Sequence, residues 1–226
     1  MAEPVSHVRS KAPSGQRESL SRHVFKILLR AYMRAWHDLE VTDAQYAPTH
    51  GPVLVMTNHA SILDTPILMA ADPYSSTAMV AKASMFRVPV VSRLLKSWRA
   101  IPVERQGDDV ASVRALLGAL RDGCIVGVAP EGKRSLNGRL GEINPVLARL
   151  AARSRVPIVP IGIVGAHLAL PPGARFPRRT KIVIKVGRPF QLDPSLPGPE
   201  AASQIQAAIA ALLPPDQQPK GWTRGA

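Results

Sequence analysis

The sequence predicts an α/β fold. It reads as a single domain with a mixed, mostly parallel sheet flanked by helices, preceded by an N-terminal amphipathic helix. Three observations predict it. Short apolar runs alternate with helix-period segments along the chain. The length, 226 residues, suits one full hydrophobic core. The composition, 46% apolar and 20% charged, is that of a globular protein and excludes a disordered, collagen-like or coiled-coil chain.

Residues 1–16 are polar, carry no apolar core of a secretory signal, and read as a flexible tail. Over 17–40 Leu20, Val24, Ile27, Leu28, Ala31, Ala35 and Leu39 keep the spacing of one apolar helix face. Arg22, Lys26, Arg30 and Arg34 recur every four residues, and the spacing puts them on the opposite side. An apolar stripe backed by a basic one suits a helix lying in the headgroup layer of an anionic membrane, so 17–40 is expected to be a membrane-associating helix. The alternative is a solvated helix packed on the core. Residues 41–213 form the expected main domain. Its strands are expected at 52–57, 77–81, 100–103, 124–128, 158–163 and 181–186, and its helices at 62–71, 85–96, 109–121, 142–153 and 203–213, with Ser203 as an N-cap. The Pro- and Gln-rich stretch 214–226 reads as a second flexible tail.

The charge narrows the partners. Lys and Arg number 29 against 16 Asp and Glu, a formal net charge of +13, which calls for a partner bearing negative charge. Aromatics are only 4%, too few for base-stacking platforms, so the expectation is phosphate groups and lipid surfaces with no nucleic acid. No run of 18 apolar residues is present to span a bilayer. Cys124 is the only cysteine, which excludes an intramolecular disulfide and a multi-Cys zinc site.

Four segments carry the chemistry. Asn58-His59-Ala60-Ser61-Ile62-Leu63-Asp64 falls where a strand ends and a helix begins, the place where open α/β sheets bind ligands. The five-residue step from His59 to Asp64 can return the carboxylate to the imidazole, fixing one ring nitrogen and leaving the other as a base. Ser61-x-x-Asp64 also resembles a capping box with Asp in place of Glu. Pro130-Glu131-Gly132-Lys133-Arg134-Ser135 follows another apolar strand, and its Lys and Arg suit a phosphate. Ala100-Ile101-Pro102-Val103-Glu104-Arg105 ends on an arginine at the same predicted edge. Val156-Pro157-Ile158-Val159-Pro160-Ile161-Gly162-Ile163 is an apolar strand broken by two prolines.

In that order the four segments resemble the glycerophospholipid acyltransferase family, typified by 1-acylglycerol-3-phosphate acyltransferases. That family shows an Asn-His-x-Ser-x-x-Asp block, a block ending in Arg, Glu-Gly-Thr-Arg-Ser and a Val-Pro-rich strand. The resemblance covers roughly residues 50–190 and includes the Ala81-Lys82 pair. Lys133 stands where the family has Thr, and Ile143-Asn144-Pro145-Val146 where it usually carries a Lys and a Gly.

The resemblance implies direct transfer of a fatty acyl chain from acyl-CoA or acyl-acyl carrier protein to the hydroxyl of lysophosphatidic acid, giving phosphatidic acid. His59 would be the general base, with Asp64 orienting it. Arg105, Glu131 and Arg134 would hold the glycerol phosphate, with Gly132 and Ser135 of the same block lining that site and Lys82 and Lys133 adding charge. Val156, Pro157 and Pro160 would border the acyl chain or its donor. No cofactor or metal is expected. The implied partners are the acyl donor, a lysophospholipid and an anionic membrane surface, and the implied place is the cytoplasmic face of the cell membrane, peripherally.

Other readings compete. A serine hydrolase would use Ser61 or Ser135, but no Gly-x-Ser-x-Gly elbow is present. Cys124 lies in an apolar run, where an inert thiol is the default. His50 and His167 are too scattered to complete a metal site with His59 and Asp64. Another lysolipid acceptor, such as a lyso-ornithine lipid, and a non-catalytic basic membrane-binding protein both remain open at this point.

Overall fold

The computed structural model describes residues 20–71, 77–98, 100–103 and 110–223. The expected tail 1–16 and Arg105 lie outside them. A seven-stranded sheet forms the centre, with strands β1 (Glu40–Thr42), β2 (Val53–Thr57), β3 (Thr77–Lys82), β4 (Ile101–Val103), β5 (Ile125–Val128), β6 (Ile158–Val164) and β7 (Val183–Val186). Their spatial order is β1-β7-β6-β2-β5-β3-β4. From β6 to β4 every pairing is parallel; β7 runs antiparallel to β6, and β1 follows β7. The mixed, mostly parallel sheet agrees with the sequence reading.

Strand β2 is apolar at every position but its last, and all five of its residues are buried. A parallel strand covered on both faces reads in this way. One layer of helices carries α4 (Val110–Arg121), α5 (Pro145–Ser154) and α7 (Gly198–Ala210), whose Leu116, Leu120, Ala148, Ala152, Ile205 and Ile209 pack with Leu54, Met56 and Val126. The other carries α1 (Leu20–His37) and α2 (Asp64–Ala71), whose Met33, Ile67 and Ala70 pack with Val53, Val55 and Ile125. Ile158 and Ile205 are fully buried, each contributing about 1.5–3 kcal/mol. Between strands run α3 (Pro89–Ser97) and the single turn α6 (Ala166–Ala169).

The path of the chain creates a crevice. After β2 it passes over β5 to β3, and after β5 it crosses back over β2 to β6. The following helices, α2 and α5, lie on opposite faces. The loops leaving β2 and β5 therefore part above their C-terminal ends, the usual ligand position in such sheets.

Several elements differ from expectation. The helix read as 17–40 stops at His37, and residues 40–42 form edge strand β1, too short for a period of two to register. Its apolar stripe is not the face packed on the core. Val24, Ile27 and Leu28 point outward, whereas Lys26 is buried and the Arg30 Nε donates to the Ala70 carbonyl at 2.8 Å, capping the C-terminal end of α2. Long Lys and Arg stems can lie against a core while their heads find carbonyls. Phe25 sits edge-on against the buried Trp98, 5.6 Å between centroids. Helix α5 begins at Pro145, because the Asn144 side chain accepts from the Val146 and Leu147 amides. Helix α7 starts at Gly198, not at 203; Ser203 is interior and its Oγ donates to the Pro199 carbonyl.

The stretch read as a loose tail from Pro214 is docked through Gln218, and Trp222 packs against the core. Gln217, 1% exposed, accepts from the Gly165 amide and donates to the Ile163 carbonyl, and its own carbonyl accepts from the Leu140 amide. Arg139 donates to the Pro215 and Gln218 carbonyls. Side-chain amides hold this segment, and they leave no periodic trace in a sequence.

Candidate active site

The site begins with the turn that closes β2. Residues 58–63 leave the sheet and α2 starts at Asp64, whose Oδ2 accepts from the Ala60 and Ser61 amides, each at 2.8 Å. The reach-back to Ser61 is one half of the expected capping box; the Ser61 Oγ turns instead to the Leu63 amide. The same Oδ2 lies 2.8 Å from Nδ1 of His59. Asp64 is only 3% exposed, while the imidazole reaches the surface. A carboxylate at Nδ1 requires the proton there, so neutral His59 carries its lone pair on Nε2. The sequence-derived pair is therefore assembled, with one nitrogen tied down and the other available to take a proton.

The loop after β5 grips the histidine from its other side. Glu131 Oε1 accepts from the His59 amide at 2.6 Å and Oε2 from the Gly141 amide at 2.7 Å. The Ser135 amide donates to the His59 carbonyl at 2.8 Å. The amide and the carbonyl of His59 are thus both bonded to one loop. Burial pushes the Glu131 carboxyl above its ordinary value of 4.5, and the two amide donors and His59 pull it back part-way. Glu131 was expected to hold substrate phosphate. It is a buried acceptor, 8% exposed, and each of its oxygens takes a backbone amide, one of them that of His59. Gly141 belongs to this clamp, since a Cβ there would come within 2.8 Å of the carboxylate.

Asn58 completes the frame from β6. Its Oδ1 accepts from the Ile163 amide at 2.7 Å and its Nδ2 donates to the Ile163 carbonyl at 3.0 Å. Gln217 donates to that same carbonyl at 3.2 Å. Neither role was read from the sequence: Asn58 stood in the motif without a task, and nothing around Gln217 signals one.

The cations share this edge. Gly132 takes φ +68° in the turn that brings Lys133 and Arg134 out, both exposed. Lys82 ends β3, exposed, on the same edge. Arg105 is outside the described residues. The three positions read as an acyl-chain or donor region do not join the site. Val156 and Pro157 precede β6, whose Ile158 pairs with Leu54, so they sit at the opposite edge, in a groove with His50 and Pro52. Pro160 is buried inside β6 against Met56. An apolar cavity of about 100 Å³ lies beside the sheet, lined among others by Val55, Leu68, Met79, Ile125 and Ile161.

Known proteins bear on this geometry. The solved structure of the 1-acyl-sn-glycerophosphate acyltransferase PlsC from Thermotoga maritima superposes with a TM-score of 0.71 at 19% identity, covering 88% of this chain and 83% of that one. A likeness of this kind speaks to the fold. A chloroplast 1-acyl-sn-glycerol-3-phosphate acyltransferase from Brassica napus is 29% identical over 174 residues, 69% of this chain and 50% of its own length. One from Arabidopsis thaliana is 28% identical over 125 residues, 54% of this chain and 35% of its own. The chain thus spans half or less of either relative. The acyltransferase family model matches residues 38–164, from β1 through β6 and including both the His59 turn and the Glu131 clamp, and the chain belongs to that family.

Proposed function

We propose that the protein transfers a fatty acyl chain from acyl-CoA or acyl-acyl carrier protein to the free hydroxyl of 1-acylglycerol-3-phosphate, forming phosphatidic acid. The observation that carries this reading is the His59–Asp64 pair, with Nδ1 anchored on a buried carboxylate and the imidazole partly exposed. The names of the plant relatives support the acceptor.

The chemistry follows from the charges. Lys133 and Arg134 hold the acceptor phosphate, with Lys82 as a further cation, so the hydroxyl is presented to Nε2 by positioning. As the hydroxyl oxygen attacks the thioester carbonyl, Nε2 takes its proton and Asp64 stabilises the imidazolium. The tetrahedral intermediate collapses, the C–S bond breaks, and the imidazolium returns the proton to the departing thiolate. A general base in this position contributes about 10²–10⁴-fold.

The exposed Val24, Ile27 and Leu28 of α1 support a second part of the reading, in which the protein works peripherally on an anionic membrane at its cytoplasmic face. No helix among the described residues is long and apolar enough to cross a membrane.

The test is transfer of a labelled acyl chain from acyl-CoA or acyl-acyl carrier protein to lysophosphatidic acid, run beside lysolipids with other headgroups. Turnover by wild type that falls at least about 100-fold in His59→Ala is the expected outcome. Equal turnover by the two proteins overturns the base assignment, and preference for another headgroup overturns the acceptor.

A further inference from the structure

Gln217 belongs to none of the four segments, yet it is 1% exposed and each of its polar groups has a partner. Its Oε1 accepts from the Gly165 amide at 3.1 Å. Its Nε2 donates to the Ile163 carbonyl at 3.2 Å and to the Gly138 carbonyl at 3.5 Å. Its own carbonyl accepts from the Leu140 amide at 2.8 Å, and its amide donates to the Pro214 carbonyl at 2.9 Å. Bonding of that completeness is the rule for a buried carboxamide, and by itself it marks a satisfied core residue. Where the bonds lead marks more.

Two routes run from Gln217 to His59. The Ile163 carbonyl that its side chain meets is the one Asn58 meets at 3.0 Å, and Asn58 adjoins His59 in the chain. The Leu140 amide that its main chain meets precedes Gly141, whose amide donates to Glu131 Oε2, and Oε1 of that carboxylate accepts from the His59 amide. One residue therefore reaches both supports of the imidazole, one through its side chain and one through its main chain. The loop on the second route needs outside support, because residues 133–144 form neither helix nor strand. Helix α7 reaches that loop again through Gln206, whose Nε2 donates to the Gly141 carbonyl at 2.7 Å. Gln217 is itself held against the end of α7. The neighbouring Gln218 donates to the Ala210 and Leu213 carbonyls at 3.2 and 2.9 Å, and Arg139 of the loop donates to the Pro215 and Gln218 carbonyls. Small displacements of a base are costly, since about 1 Å of misplacement lowers a rate by roughly 10²-fold.

We propose that Gln217 is a positioning residue for the transfer reaction. It ties the C-terminal segment 214–218 to both the Asn58–Ile163 pairing and the Glu131 clamp. The place of the His59 imidazole is then set from both helix layers, by Asp64 at the head of α2 and by Gln217 beyond the end of α7. A Gln217 that only filled the core would stabilise the fold and leave the imidazole where it is. The rate arm of the test rests on the proposed function; the arm that reads the imidazole directly does not.

The experiment compares wild type with Gln217→Met, which fills the same space without hydrogen bonds, at a temperature where both are fully folded. The kcat for acyl transfer to lysophosphatidic acid is expected to fall about 3- to 10-fold with acceptor KM unchanged. The ring resonances of His59 in NMR spectra, assigned by their loss in His59→Ala, should shift. Arg139→Ala loosens the same segment from the loop side, and it should change both readings in the same direction and by less. A lower unfolding temperature with kcat and the His59 resonances at wild-type values overturns the inference. So does a raised KM with kcat unchanged, which would place Gln217 with the acceptor instead. If Gln217→Met does not fold, Arg139→Ala decides by the same readings. If wild type turns over no lysophospholipid, the proposed function fails while the His59 resonances still decide the positioning.

Discussion

Two loops meet at His59 and are built in opposite ways. The turn 58–64 is largely buried and bonded: Asp64 and Asn58 are buried, and the His59 peptide is held at both its amide and its carbonyl. The stretch 132–137 is mostly exposed and carries its charge on long, solvated side chains. Under the proposed function the difference has a reason: proton transfer needs one geometry, which hydrogen bonds shielded from water would fix, whereas phosphate attraction acts over distance and tolerates movement, so its groups can remain in solvent. Damage to the two loops should therefore register in different kinetic constants.

The largest effect should come from Asp64→Asn. An amide oxygen can take the place of Oδ2 but carries no charge to stabilise an imidazolium, so kcat should fall about 10²–10⁴-fold with little change in acceptor KM. A comparable rise in KM alone would erase the contrast. Next comes Arg134→Ala. Loss of a charge-assisted bond worth roughly 1.5–3 kcal/mol should raise acceptor KM about 10- to 100-fold, with kcat and unfolding temperature nearly unchanged. Arg134→Lys should recover part of that loss, since a point charge replaces a fork.

Glu131→Gln sharpens the comparison, because it alters the clamp and spares the base. One of its two amide donors must face an NH2 group, so kcat should fall, by less than for Asp64→Asn, and stability should drop by about 1–3 kcal/mol. The pH dependence has a defined sign. The carboxyl is raised in the folded state by burial, so the stability it lends is full below its unfolded value near 4.5 and is lost as pH rises through the higher folded value. The glutamine variant lacks that loss. Its unfolding temperature relative to wild type should therefore climb with pH from about 4.5 upward, and a flat difference would contradict the burial effect. The smallest effect belongs to Gln217→Ala, which leaves the Gly165 amide without its acceptor. Unfolding should come at lower temperature by the equivalent of about 1–3 kcal/mol, with a modest decline in kcat and unchanged acceptor KM.

Much of this frame was legible in the sequence. The α/β alternation and the placing of Asn58–Asp64 and Glu131–Ser135 at strand ends follow from short apolar runs broken at polar turns. The His59–Asp64 contact followed from a five-residue step. Other features were not legible for physical reasons. The direction α1 faces depends on where a charged stem finds a carbonyl, and Arg30 finds Ala70, forty residues away. Glu131 in a cationic segment looks like a ligand-binding group until its burial and two amide partners are known. Val156 and Pro157 belong to a recognisable strand, but only the register against β2 reveals which end of the sheet they occupy.

Asn58 meets Ile163 with an acceptor and a donor held in one flat carboxamide, the same pair of groups that a backbone peptide offers. The side chain impersonates the next link of β2, one residue past Thr57. The sheet is thereby sealed by a surrogate, and the real main chain is released to swing outward and present the imidazole. Aspartate at this position would have no hydrogen to give and glutamine would overreach by a carbon, so the seal depends on the length and chemistry of one side chain.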